Sequence, residues 1–314
     1  MKSFAFVFPG QGSQSIGMLN GFSSNAIVGD TIAEASDVLG MHIGQLIANG
    51  PKEQLDLTTN TQPVMLTAAV ATYRAWLAAG GQAPTVVAGH SLGEYSALVA
   101  AGVLSFREAL PLVRFRAEAM QQAVPVGQGG MAAILGLSDA DVIASCSEAA
   151  QGEVVEAVNF NAPMQVVIAG SKAAVERACD IAKGKGAKRA LVLAVSAPFH
   201  SSLLQPASNQ LRKYLSNVAF ATPAIPLINN VDVEIVNDPA AYRDALVRQA
   251  ASPVRWVETI QRIAAGGVTH IIECGPGKVL AGLTKRIDPQ LTGESIVDDA
   301  SIARVIDLLN ESTS

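Results

Sequence analysis

The chain is short of charge, of aromatic rings and of cysteine. Only 16% of its 314 residues are charged and 5% aromatic, against 49% hydrophobic. That balance supplies enough apolar surface to offset ordering entropy, which excludes a disordered chain. The net charge of -5 lacks the basic excess that nucleic acid as the main partner requires. Three cysteines, Cys146, Cys179 and Cys274, are far apart, odd in number and form no CxxC pair. Neither a disulfide framework nor a metal site is expected from them, and a reducing cytoplasm fits. Residues 75–93 carry no Lys, Arg, Asp or Glu, but Gly80, Gly81, Gln82, Pro84 and His90 interrupt them, so no membrane span is expected. One lysine precedes a run that soon meets Pro9 and Gly10, which is not a secretory leader pattern.

What is present is an alternation of strand-like and helical segments, pointing to an α/β class with a mostly parallel sheet. "SFAFVF" (3–8) and "TVVAGH" (85–90) read as buried strands, and 62–81 as a helix ended by a glycine pair. Ser105 followed by Glu108 is a capping-box pattern opening a helix over 105–124, in which Pro111 predicts a break or kink. Gly127-Gln128-Gly129-Gly130 reads as a hinge. After it come a strand, a helix, two strands, a helix and a last strand, the βαββαβ order of a ferredoxin-like unit. The large α/β pattern then resumes with "IPLINNV" (225–231) as a strand. The expected organisation is a large α/β-hydrolase-like domain, 1–126 and 198–314, with a small ferredoxin-like domain, 127–197, inserted in it. A cleft between the two is the expected ligand site.

Gly89-His90-Ser91-Leu92-Gly93 follows one predicted strand and opens a predicted helix, the context of the GxSxG nucleophile elbow. Its glycines permit a tight turn that lifts the serine hydroxyl from the sheet, beside the positive end of a helix dipole. A serine nucleophile needs a base, and the chain has four histidines. His42 and His270 fall in regular elements, and the elbow points His90 away from the hydroxyl. His200, in "SAPFHSS" at the return to the large domain, is the candidate base. No Asp or Glu near it announces a third member, so a dyad oriented by a carbonyl or an amide is expected. Arg114 and Arg116 lie two apart on one helix and face different directions, and the spacing leaves open which enters the cleft. The opening loop, "FPGQGSQ" (8–14), fails both nucleotide spacings, GxGxxG at Ser15 and the P-loop at Met18 and Leu19. It is the natural donor of a second oxyanion amide, beside that of Leu92.

FPGQGSQ, TQP (61–63), GHSLGEYSAL (89–98), RAEAMQQAVP (116–125), NFNAPMQVVIAG (159–170), PFH (198–200), NNVD (229–232), RDALVRQ (243–249) and ECGPGKVL (273–280) stand in register. With them the chain resembles the bacterial malonyl-CoA:acyl-carrier-protein transacylases and the acyltransferase domains of polyketide and fatty-acid synthases, over nearly its whole length. The resemblance implies malonyl transfer from malonyl-CoA to the phosphopantetheine thiol of acyl carrier protein through a malonyl-serine, in a ping-pong reaction that supplies fatty-acid elongation. It implies Ser91 as nucleophile, His200 as base, and the Gln11 and Leu92 amides as the oxyanion hole. It also implies Arg116 against the malonyl carboxylate and Gln249 holding His200 through its backbone carbonyl. Gln62 and Phe199 are expected beside the acyl pocket, Phe199 favouring malonyl over branched extenders. A planar guanidinium clamps a carboxylate through two charge-assisted bonds, so an acyl group without one leaves the arginine unpaired. A cytoplasmic monomer with no metal and no cofactor is expected. The family's carrier protein is acidic; Lys185, Lys188 and Arg189, with Lys183, offer it a basic corner, or else form a solvated last helical turn.

Two other functions use the same residues. A serine esterase or thioesterase would pass the acyl group to water, and a binding domain would keep the fold without the chemistry. Arg116 disfavours a general lipase, and an intact Ser91 and His200 disfavour the binding domain.

Overall fold

The computed structural model describes residues 2–311. Among the described residues, nine strands form two separate sheets. β1 (Phe4–Phe8), β2 (Val86–Gly89), β7 (Leu227–Ile228), β8 (His270–Cys274) and β9 (Thr292–Ile296) make a parallel sheet in the order β7-β2-β1-β8-β9. β3 (Gly129–Leu135), β4 (Val155–Ala162), β5 (Gln165–Ser171) and β6 (Arg189–Val192) make an antiparallel sheet in the order β4-β5-β3-β6. The mixed α/β class with a parallel sheet is therefore present as expected, beside an antiparallel sheet of its own.

The strand β1 is apolar at every position because both faces of its sheet are covered. Phe4, Phe6 and Phe8 face one core and Ala5 and Val7 the other, the period of two that a pleated strand dictates. The first core fills with residues of α1 (Ala26–Leu39), α2 (Ile43–Asn49), α3 (Lys52–Leu55), α4 (Thr58–Ala78), α5 (Gly93–Ala100) and α6 (Phe106–Ala123). Trp76 of α4 meets Phe6 edge-on at 5.3 Å. α7 (Asp139–Ala150) and α8 (Lys172–Gly184) pack on the antiparallel sheet around a core of their own. α9 (Gln205–Leu215) and α10 (Pro239–Gln249) return to the first core. α11 (Trp256–Ala265) and α12 (Val279–Ile287) cover the second, and α13 (Asp299–Asn310) closes the described chain against the first.

Three local expectations change. α6 runs unbroken through Pro111, which is exposed, so the carbonyl lacking its partner lies on the solvent side. Half of the expected capping box forms at its start: Ser105 Oγ accepts from the Glu108 amide at 3.2 Å, while the Glu108 carboxylate accepts from the Ser105 hydroxyl instead of the Ser105 amide. Only Leu227 and Ile228 of "IPLINNV" pair as strand, because the Asn229 side chain accepts from the amides of Val231 and Asp232 and turns the chain. Gly129 and Gly130 of the predicted hinge already belong to β3.

β2 passes into α5 with almost no separation. A Cβ on Gly89 would stand 1.9 Å from the Gly93 carbonyl carbon, and one on Gly93 would stand 2.0 Å from the Phe8 oxygen. Both neighbours are backbone and cannot give way, which is why the elbow requires glycine at these two positions. Gly29, in contrast, is an exposed α1 residue with nothing near its missing Cβ. Gly29→Ala is therefore expected to stabilise by about 0.5–1 kcal/mol, and Gly89→Ala to destabilise by about 3 kcal/mol or more. Urea unfolding of the two variants checks both signs, and equal shifts would contradict the close approach.

Candidate active site

Ser91 occupies the turn between β2 and α5 with φ of 53°, a conformation uncommon for a residue with a side chain. Asn230 stabilises it from outside the turn: its Oδ1 accepts from the Ser91 amide at 2.8 Å and its Nδ2 donates to the Gly89 carbonyl at 2.7 Å. His200 also has positive φ, 66°, in a turn tightened by Ser201 Oγ donating to the Pro198 carbonyl. The two turns bring Ser91 Oγ to 2.7 Å from His200 Nε2. His200 Nδ1 lies 2.8 Å from the Gln249 backbone oxygen. A carbonyl only accepts, so Nδ1 carries the proton and Nε2 is the free acceptor for the serine hydroxyl.

Burial, reinforced by the nearby Arg116 cation, pushes the His200 pKa down to about 3, with the Gln249 carbonyl opposing part of that shift. The imidazole is thus neutral, and able to take a proton, throughout the physiological range. The linked stability follows the usual sign: it is full above pH 6.5 and is lost as pH falls toward 3, where the unfolded histidine is charged and the folded one is not.

Arg116 is only 1% exposed. Its Nη1 donates to Gln62 Oε1 at 2.9 Å, and its Nη2 to Gln249 Oε1 at 2.9 Å and to Ser91 Oγ at 3.2 Å. Its guanidinium carbon lies 5.3 Å from the centre of the Tyr95 ring. No carboxylate among the described residues comes within 4.0 Å of it. Arg114, two residues earlier, points outward and pairs with Glu118. Structure, not spacing, decides between the two arginines.

A cavity of about 230 Å³ opens over these groups. Gln11, Leu92, Gln62, Arg116, Ser91 and His200 line its polar side, while Met131, Val167, Leu193, Val195 and Phe199 line the side next to the antiparallel sheet. The Gln11 and Leu92 amides have no hydrogen-bond acceptor among the described residues. The Gln11 side chain is occupied elsewhere, donating to Thr58 Oγ1. His90 points away from the serine hydroxyl, to Asn161 Oδ1 at 2.8 Å and the Trp256 ring. The basic corner is not at the cavity. Lys185 pairs with Glu148, and β6 runs four residues, or about 13 Å, from Arg189 to the cavity wall.

Two residues beneath the site escaped the sequence reading. Glu94, in the first turn of α5, is buried, and its Oε2 accepts from Gln249 Nε2 at 2.8 Å and from the Asn230 amide at 3.0 Å. Burial raises its pKa to about 7. The signal for it was a lone carboxylate in an otherwise small and apolar helix. Asn230 was hidden in a segment read as strand.

This fold and this geometry define an enzyme of the acyl-transfer class. Residues 5–311 match the model of the acyl transferase domain family. The chain is 53% identical over 307 residues to the malonyl CoA-acyl carrier protein transacylase of Salmonella typhimurium, covering 98% of this chain and 99% of that one. A solved acyl-carrier-protein S-malonyltransferase from Burkholderia pseudomallei is 69% identical and superposes with a TM-score of 0.96, covering 98% and 100% of the two chains. A malonyl-transacylase solved in complex with its type II PKS acyl-carrier protein is 51% identical, with a TM-score of 0.97 over 98% of this chain and 100% of that one. The chain belongs to the acyltransferase family of which these transacylases are members.

A neutral imidazole hydrogen-bonded to the serine has a measurable consequence. The rate at which a phosphonofluoridate modifies Ser91 should change less than about twofold between pH 7.5 and pH 5.5. A base at the ordinary histidine value would lose about tenfold over that interval. A tenfold loss in a stopped assay of probe incorporation would contradict the burial argument.

Proposed function

We propose that the protein moves a malonyl group from malonyl-CoA to the phosphopantetheine thiol of an acyl carrier protein through a malonyl-serine intermediate. The observation that carries the reading is Arg116, a buried guanidinium beside the serine whose partners are all neutral. Such a cation is completed by a substrate carboxylate, which malonyl has and acetyl lacks. The names of the transacylase relatives support the same substrates.

In the first half-reaction Ser91 Oγ attacks the thioester carbonyl as its proton passes to His200 Nε2. The developing oxyanion is met by the Gln11 and Leu92 amides. The C–S bond then breaks, and the CoA thiolate takes the proton from His200. In the second, His200 removes the proton of the carrier thiol, the thiolate attacks the malonyl ester, and Ser91 leaves with that proton. The Gln249 carbonyl holds the imidazole in the required tautomer throughout. Gln62 holds Arg116 until the carboxylate replaces it, and Phe199 closes the apolar wall. The scheme calls for no metal or cofactor.

The same reading makes residues 127–197 a ferredoxin-like domain inserted in an α/β-hydrolase-like catalytic domain of 1–126 and 198–314. The order β4-β5-β3-β6, with α7 and α8 on one face, supports it. We place the enzyme in the cytoplasm as a monomer serving fatty-acid elongation, with Lys185, Lys188 and Arg189 as a docking corner for the acidic carrier.

Intact mass measurement tests the chemistry. Mixed with malonyl-CoA, the protein should gain a malonyl adduct on Ser91 that persists in water and disappears on adding holo carrier protein. Prompt loss in buffer would make the protein a hydrolase, no adduct would make it a binding domain, and acylation of Ser91→Ala would overturn the mechanism. Arg116→Ala should lower the ratio of malonyl to acetyl acylation rates by roughly a hundredfold. An unchanged ratio would remove Arg116 from acyl recognition.

A further inference from the structure

The amide of Gln249 has two ends of similar shape and opposite hydrogen-bonding character. Its Nε2 end lies between two acceptors, the Ser91 carbonyl at 3.0 Å and Glu94 Oε2 at 2.8 Å. Its Oε1 end faces a donor, Arg116 Nη2, at 2.9 Å. Turning the amide over would set oxygen against two oxygens and an NH2 group against the guanidinium. In its ionised form the carboxylate at position 94 offers acceptors only, and in that form it enforces one orientation. Glu94 is itself fixed by the Asn230 amide, and the Asn230 side chain in turn clamps the elbow at Ser91 and Gly89.

The placement has a second aspect. A glutamate touching Arg116 would occupy the cation and compete with any carboxylate arriving from the cavity. Glu94 lies one amide away. It lowers the cost of burying the guanidinium through the field between them, while both Nη groups rest on neutral amide oxygens. An amide is a weaker partner than a carboxylate and is readily exchanged for one.

We propose that Glu94 is a positioning residue for acyl selection: through Gln249 it holds Arg116 in place as an oriented, unpaired cation ready for a substrate carboxylate. Glu94 makes no contact with substrate. Its effect falls on acyl groups bearing a carboxylate over and above any effect on the serine-histidine chemistry common to all thioesters, which the ratio of the two rates cancels. Burial raises the Glu94 pKa, and the bonds from Gln249 and Asn230 and then the Arg116 charge oppose that rise, as expected of a carboxylate near a cation but not paired to it. The inference rests on the reading of Arg116 given above.

The test compares single-turnover acylation by malonyl-CoA and by acetyl-CoA in wild type, Glu94→Gln and Glu94→Asp. Glu94→Gln keeps the shape and removes the charge; Glu94→Asp keeps the charge and withdraws it by one methylene. The ratio of malonyl to acetyl rates should fall about tenfold in Glu94→Gln and by a smaller factor in Glu94→Asp. Acetylation doubles as the fold control, and if Glu94→Gln does not fold, Glu94→Asp decides. An unchanged ratio, or equal loss with both thioesters, would overturn the proposal by making Glu94 a packing residue. Wild type that forms no malonyl adduct would instead overturn the functional reading, so the two failures are distinct.

Discussion

The site is organised around one buried cation. Taking a guanidinium out of water costs several kcal/mol unless its donors are met, and Arg116 is met by parts of four elements. Gln62 comes from α4, Gln249 from the end of α10, Ser91 from the elbow and Tyr95 from α5. Satisfying this one group therefore fixes where α4, α5, α6 and α10 stand around the serine. The same partners are neutral, so both Nη groups have acceptors while the positive charge facing the cavity stays unpaired. Its Nε has no acceptor among the described residues, another sign that the group was not arranged for stability alone.

How much of this is legible in sequence depends on whether the cause is local. The elbow is local: Gly89 and Gly93 are needed because backbone atoms within 2.0 Å of their missing Cβ positions belong to the turn itself or to β1 beside it, so the GxSxG pattern marks Ser91 directly. His200 is found by elimination among four histidines, since His42 and His270 read as parts of regular elements and the elbow turns His90 away from the hydroxyl. Arg114 and Arg116 are equivalent to any periodic argument, and only the packing of α6 against α4 turns one inward. Glu94 reads as an ordinary acid in a first helical turn, favoured there by the dipole. Its real partners are 136 and 155 residues away. Pro111 misled for a related reason: the rule about helix interiors assumes that the lost hydrogen bond is buried, and here it faces water.

The two sheets divide the work at the cavity. The parallel sheet and its helices supply the hydroxyl, the guanidinium and the amides, while the antiparallel sheet and the chain leaving it supply Met131, Val167, Leu193, Val195 and Phe199. The polar groups alone would be hydrated and weak. An apolar wall opposite them lowers the local dielectric, so that each hydrogen bond to the reacting atoms counts for more. Links between the sheets are specific: His90 to Asn161, Ser202 to Glu156, and Phe160 and Val158 to the backbone of Val254. His90, next to Ser91, and Ser202, two residues after His200, make two of these links, which ties the dyad geometry to the closure of the cavity.

Burial and charge also act together on the base. Arg116 is the second cause, after desolvation, of the low His200 pKa. An unpaired guanidinium thus opposes the imidazolium that must form as the serine loses its proton. In the proposed reaction a malonyl carboxylate neutralises that guanidinium, so the opposition falls as the acyl group docks. An acetyl group would leave it in force. Arg116 would then discriminate twice, once in binding the carboxylate and again in the proton transfer to His200, and the second contribution is realised in the transition state rather than in the ground state. A lysine at position 116 would carry the charge without the planar fork that reaches Gln62, Gln249 and Ser91 together, so the coupling between recognition and proton transfer depends on arginine in particular.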